Sequence, residues 1–379
     1  MEREKKNKFI CGAYVGVFLG LLLVGGGLVF FSPQKAYSEN ENRYLTKLPS
    51  ISAKGVISGE VQEKLEDAMC DQFVWRDGWL SFATQMQRLT GSSCINQVYL
   101  GKDHYFFEKV LDSDISQKKY ETNLKMIQAC AQQEDVDCNI LLVPSPATVL
   151  QNKLPNGAVM YDSASMQKKG KQYFGDQWLD ITEDLQKASK EERVYFRTDH
   201  HWTLRGAYEA YRAYEMHMGR TASSYESFGP EAVSDTFLGT IYSKLLPKDV
   251  KKDTIYVAKQ LPDSVTVTCD GKKMDEIYQW EKLDTKDQYA VFFGGNYGIV
   301  EIENPQAESE ETLILFKDSF ANSMVPFLIG DYKHIVMVDL RYYTQSVSQL
   351  MDQYDNKSML VLYEMSNFAK DDYQSKLLR

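Results

Sequence analysis

The chain has 379 residues, a formal charge of −10 at pH 7 and 43% apolar residues, with 24 tyrosines and 18 phenylalanines. That length holds one large domain with an appendage or two modest domains, and the composition excludes a disordered chain. The acidic balance argues against nucleic acid, or an anionic lipid surface, as a partner held by bulk charge.

The N-terminus is the first element. Residues 9–31 carry no charge, and Arg3, Lys5, Lys6 and Lys8 flank them on the amino side. That length spans a bilayer, and the basic flank stays cytoplasmic. The expectation is a cytoplasmic tail over 1–8, a single transmembrane anchor over 9–31 and everything beyond outside the cytoplasm. The competing reading is a cleaved leader, with Ala36-Tyr37-Ser38 as the cleavage pattern, but leader cores run to only about 7–15 residues. Gly12, Gly16 and Gly20 repeat every fourth residue, a face that lets another helix approach closely. Cys130 with Cys138, and Cys70 with Cys94, could pair in an exported chain. No metal-type cysteine spacing is present.

Residues 32–95 read as a membrane-proximal arm, helical over 60–69 and 79–89, with Trp75 and Arg76 packing and pairing within it. From residue 96 the texture becomes α/β, and this domain runs to 379. A hairpin is expected over 97–107 and a helix over 116–132. The apolar run 138–143, stopped by Pro144-Ser145-Pro146, reads as a buried strand. Further helices are expected over 162–174 and 182–190, with a strand over 178–181 between them. Val194-Tyr195-Phe196 reads as a strand and Leu204–His217 as a helix capped by Thr203 and stopped by Gly219. From about 220 to 289 the alternation is lost. Short β-like pieces at 255–257, 264–268 and 275–278 read as an inserted substructure. Strands are then expected over 290–296, 312–316, 334–338 and 359–363, with helices over 320–328 and 344–354. Strand–helix alternation argues for a mostly parallel sheet covered on both faces.

One stretch carries chemistry. Thr198-Asp199-His200-His201-Trp202-Thr203 packs an acid and two imidazoles into a chain with only five histidines. In extended backbone Asp199 and His201 project to one side and His200 to the other. Asp199 then fixes the tautomer of His201 and leaves its other nitrogen free as a base. Lys317-Asp318-Ser319-Phe320 supplies the nucleophile. Ser319 sits between an expected strand and an expected helix, where unpaired N–H groups stabilise an oxyanion. Against this, serine is a common structural cap, and the two histidines could be satisfied in place or form a metal site, although adjacent histidines in extended backbone face opposite ways and rarely ligate one metal. Ser145 also follows a strand, but shows no helix start behind it. Gly294-Gly295-Asn296 offers further oxyanion or substrate contacts through Gly295 and Asn296, with a plain turn as the alternative. His200 and Trp202 are substrate contacts of the same rank. Lys317, Asp318, Asn322 and Arg341 read as caps or ion-pair partners.

Asp199-His200-His201-Trp202, followed by Lys317-Asp318-Ser319-Phe320 and Val338-Asp339-Leu340-Arg341-Tyr342-Tyr343, resembles the bacterial DHHW family. That family is similar to the SGNH-hydrolase-like proteins of alginate O-acetylation. The resemblance implies an SGNH-hydrolase-like (flavodoxin-like) three-layer α/β/α core, with Ser319 as nucleophile, His201 as base and Asp199 as its orienter. It also implies work beside a multi-span membrane O-acyltransferase that acts as acyl donor for a surface polysaccharide.

The expected function is therefore membrane-anchored, extracytoplasmic O-acetyl transfer to a cell-envelope glycan through an acyl-serine, without cofactor or metal. A carbohydrate acetylesterase would use the same residues. A non-catalytic glycan-binding or scaffold subunit is the alternative of another class.

Overall fold

The computed structural model describes residues 2–41 and 43–378. Met1 of the expected tail, Asn42 of the arm and Arg379 lie outside the described residues. The chain forms two compact units, one running to Gly91 and including Leu245–Lys248, the other formed by Ser92–Lys244 and Asp249–Arg379.

The first unit opens on helix Glu2–Phe31, within which Phe9–Phe31 is long and apolar enough to cross a membrane. Helices Ala53–Ser58, Glu60–Asp71 and Arg76–Leu89 follow. Arg43 grips Asp71 through two hydrogen bonds of 2.9 and 2.5 Å, and Arg76 pairs with Glu41. Arg76 is thus tied down as expected, but Trp75 is not packed: its side chain is bare and its φ is +58°.

The second unit is built on an eight-stranded mixed sheet. In chain order the strands are β1 (Cys138–Val143), β2 (Trp178–Leu179), β3 (Thr266–Cys269), β4 (Lys272–Met274), β5 (Ile299–Glu303), β6 (Thr312–Lys317), β7 (His334–Val338) and β8 (Lys357–Glu364). They lie side by side as β4-β3-β5-β7-β6-β8-β1-β2. The five from β7 to β2 are parallel, and β4, β3 and β5 join antiparallel at one edge.

Every residue of β1 and β6 is buried. Alternation divides them between two apolar cores. Leu141, Val143, Leu313 and Leu315 face one core, and Ile140, Leu142, Ile314 and Phe316 face the other. Strands buried on both faces read as continuous apolar runs, which is why these were legible. Helix Leu204–His217 buries Leu204, Ala207 and Tyr211 in the first core; helix Gln117–Gln133 buries Tyr120, Leu124 and Ile127 in the second. Each leucine so buried contributes about 1.5–3 kcal/mol.

Several expectations fail. Val194-Tyr195-Phe196 is not a strand; it makes one isolated bridge, Tyr195 with Trp202. Residues 290–296 are not a strand either: helical turn Gln288–Val291 leads into a bend, and the strand comes later as β5. Part of the stretch 220–289 is not an insert, because β3 and β4 extend the main sheet; only Pro230–Phe237 and Asp253–Ala258 pair apart from it. Residues 275–278 form no strand beyond the bridge of Tyr278 to Phe292. The helix expected over 344–354 is only Val347–Met351. Ser145 does begin a helix, capping Pro146–Val149 through its hydroxyl. All six cysteines are free, so neither considered pair forms.

Candidate active site

Strand β6 delivers Lys317 to the sheet's carboxyl edge, where a tight turn leads into helix Ala321–Leu328. The Asp318 carboxylate pins that turn, accepting from the Phe320 N–H at 3.0 Å and the Glu364 N–H at 2.9 Å. Ser319 is half-buried at its apex. Its N–H has no acceptor among the described residues.

The Asp199–Trp202 loop closes onto this turn through Trp202. The buried indole donates to the Phe320 carbonyl at 3.0 Å and the Ser323 hydroxyl at 2.9 Å. Trp202 therefore ties two segments 118 residues apart. This corrects its assignment as a substrate contact: a wholly buried ring whose N–H is already bonded cannot touch substrate.

His201 comes to rest between Asp199 and Ser319. Its Nε2 lies 2.7 Å from Ser319 Oγ and its Nδ1 lies 2.6 Å from Asp199 Oδ1. The His201 N–H also donates to Asp199 Oδ1, at 3.0 Å. An ionised carboxylate only accepts, so Nδ1 carries the proton and Nε2 accepts from the Ser319 hydroxyl. The i, i+2 pairing expected from extended backbone thus forms, but within a bend. Asp199 Oδ2 accepts from the Thr240 N–H at 2.7 Å and its hydroxyl at 2.9 Å.

Burial opposes charge on Asp199, but the neighbouring His200 and His201 rings and the hydrogen bonds from His201 and Thr240 outweigh it, holding the carboxyl well below its usual range. Burial, aided by His200, lowers His201 to about 4 despite Asp199. The imidazole is neutral at physiological pH, as a base must be.

His200 does not point away. Its ring lies 4.0 Å from that of His201, and its Nδ1 meets the Thr240 hydroxyl at 2.9 Å. The bend gathers both imidazoles on one side, so candidate metal-ligand atoms of Asp199, His200 and His201 fall within 4.8 Å of one another. Both His201 nitrogens are already engaged, and an ion would have to displace those bonds. His200 also lines a cavity of about 250 Å³ with Ser145, Thr240, Lys244, Glu364 and Asn367 among its walls.

The Gly294-Gly295-Asn296 element does not follow a strand. The Gly295 N–H closes its own turn onto Phe292, so it is not a free donor. Asn296 is exposed, and its Oδ1 accepts from Lys317 Nζ at 3.4 Å and Asn322 Nδ2 at 3.3 Å. Its Nδ2 has no acceptor among the described residues. Lys317 is buried, 3.9 Å from Asp339, and desolvation lowers it to about 8 against the pull of that carboxylate. Arg341 holds Asp339 through two bonds of 2.9 and 2.7 Å. These residues are the caps and ion-pair partners expected of them.

Two contributors were missed. Thr240 holds the far oxygen of Asp199, and Tyr289 stacks on His201. Neither has a motif; a tyrosine in a chain with 24 of them carries no signal.

Residues 152–338 match the sequence model of the DHHW protein family. Among curated proteins none matches the chain. Among solved structures it resembles a DHHW family protein from Eubacterium siraeum (19% identity, TM-score 0.61, 75% of this chain and 95% of that one). It also resembles Bacillus cereus PatB1 bearing a sulfonyl adduct (23% identity, TM-score 0.58, 74% and 100%). A more distant match is the O-acetyltransferase domain of Pseudomonas putida AlgJ (14% identity, TM-score 0.41, 74% and 98%). Residues 152–338, which include Asp199, His201 and Ser319, thus match the family that the sequence resembles, DHHW.

Proposed function

We propose that the chain is an O-acyltransferase working through an acyl-Ser319 intermediate, with an SGNH-hydrolase-like three-layer core. The observation that carries this reading is the continuous hydrogen-bonded series Ser319–His201–Asp199, with distances of 2.7 and 2.6 Å. A hydroxyl bonded to a neutral imidazole that is itself oriented by a buried carboxylate is an activated nucleophile.

Ser319 Oγ attacks the carbonyl carbon of an acyl donor while His201 Nε2 takes its proton. The Ser319 N–H and Asn296 Nδ2, which have no acceptor among the described residues, serve as donors to the oxyanion, and Lys317 and Asn322 fix Asn296 by its Oδ1. His201 returns the proton to the departing group, leaving an ester on Ser319. A sugar hydroxyl then attacks that ester, giving its proton to His201 Nε2, which passes it to Ser319 Oγ as the Oγ–acyl bond breaks and the new ester leaves. Asp199 holds the imidazolium charge at each step.

The acceptor is an envelope polysaccharide, supported by the DHHW resemblance and by the apolar N-terminal helix with its basic flank. That helix anchors the chain as a single span, its N-terminus cytoplasmic and the site outside. A multi-span membrane O-acyltransferase as donor rests on the resemblance alone. If water takes the acyl group, the same site is an esterase.

The test is intact-mass analysis of the full-length protein in detergent after p-nitrophenyl acetate. An acetyl adduct on wild type, absent from Ser319→Ala and His201→Ala, supports the reading. A sulfonyl fluoride is a second probe, chosen because the PatB1 structure carries a sulfonyl adduct. No adduct from either reagent on the folded protein overturns it and leaves a glycan-binding role. Candidate glycans added to the acylated protein then separate transfer from hydrolysis.

A further inference from the structure

Helix Arg76–Leu89 carries a line of large apolar side chains that the unit leaves bare. Trp79, Phe82, Met86 and Leu89 recur at helical spacing, and Trp75, just before the helix, falls on the same line. They are 53%, 58%, 46% and 72% exposed, and Trp75 is 78% exposed. The other side of the helix is packed: Thr84 is buried and its hydroxyl donates to the Leu245 carbonyl at 2.7 Å. The stripe is therefore the outer face of a docked helix. Trp75 also holds a left-handed φ of +58°, uncommon for a bulky residue.

Depth decides what covers this face. Phe9–Phe31 is 23 residues long, enough to cross about 30 Å of hydrocarbon. Phe73 packs beside Gly25, so closely that a Cβ there would lie 3.8 Å from its ring. Gly25 stands six residues before Phe31, about 9 Å along the helix axis. A bilayer spanned by this helix therefore reaches Phe73, two residues before Trp75.

We infer that the Trp75–Leu89 stripe lies in the headgroup interface of the bilayer that the N-terminal helix crosses. Tryptophan and other amphipathic rings concentrate at that depth, and interfacial helices bury one apolar face about 5–10 Å into the boundary. The occupant is lipid, held by apolar area.

The experiment reconstitutes the full-length protein into phosphatidylcholine nanodiscs, with and without lipids brominated near the glycerol. Intact mass first verifies that the N-terminal helix is retained. Two of the five tryptophans lie in the stripe. Brominated lipid should quench wild-type emission, and the double variant Trp75→Phe/Trp79→Phe should lose that quenching. A second variant, Phe82→Gln/Leu89→Gln, keeps both tryptophans and should weaken it. Equal wild-type emission in both lipids, quenching that survives the double variant, or failure of the intact chain to incorporate overturns the inference.

Discussion

Tyr289 lies flat on His201, ring centroids 3.9 Å apart and planes 13° from parallel. Its hydroxyl donates to the Ser319 carbonyl at 3.2 Å and meets the Ser323 hydroxyl at 3.0 Å. One ring thus braces the proposed base while its oxygen braces the turn that bears the nucleophile. The stack should matter more than the hydroxyl. Tyr289→Phe should retain most ester turnover, whereas Tyr289→Leu should lower kcat about 10²-fold through imidazole misplacement. Steady-state hydrolysis of p-nitrophenyl acetate reads the difference.

Removing either end of the His201–Ser319 bond should eliminate the acyl-enzyme. Ser319→Ala and His201→Ala should each reduce kcat by about 10⁴-fold or more, and the double variant should lose little further, because the two act as a unit. Additive losses would show that they work separately.

Asp199 can be tested without touching the nucleophile. Asp199→Asn keeps the shape but removes the charge that opposes imidazolium, for an expected loss of about 10⁴-fold in kcat. Gly239→Ala should act on the same residue from outside, since a Cβ there would overlap the Asp199 carboxylate. It should lower kcat with the tertiary fold retained by near-ultraviolet circular dichroism.

The pH dependence has a definite sign. The proposed reaction needs neutral His201, whose pKa is lowered to about 4 by burial with His200. The acidic limb of kcat/KM should therefore lie near that value, below the roughly 6.5 of an ordinary histidine, with activity lost as pH falls through it. His200→Asn removes a neighbour that helps to hold His201 down and should move the limb upward.

Trp202→Phe should reveal a structural role. It keeps the buried ring but removes the donor to Phe320 and Ser323. Losing the two bonds that the indole donates should cost about 1–3 kcal/mol, read as a lower Cm in urea.

The Asp199–Trp202 and Lys317–Phe320 stretches were legible because their chemistry is written in residue type and spacing. So were β1, β6 and helix Leu204–His217, whose apolar runs and caps are local signals. The strand expected at 194–196 was not, because a short apolar run reads alike in a strand and in a buried loop. β3 and β4 escaped placement in the main sheet for a related reason: an antiparallel edge strand has no crossover helix to announce it.

The sequence by itself determined which groups could react, since acidity, basicity and nucleophilicity belong to side-chain type. It also determined the apolar N-terminal span and the alternation of the α/β core. Only the tertiary structure decided that Ser319 meets His201 across 118 residues, and that Thr240 and Tyr289 complete the site. It also turned His200 towards His201 and buried Trp202. These are long-range outcomes of strand order and packing, set by contacts that no local spacing encodes.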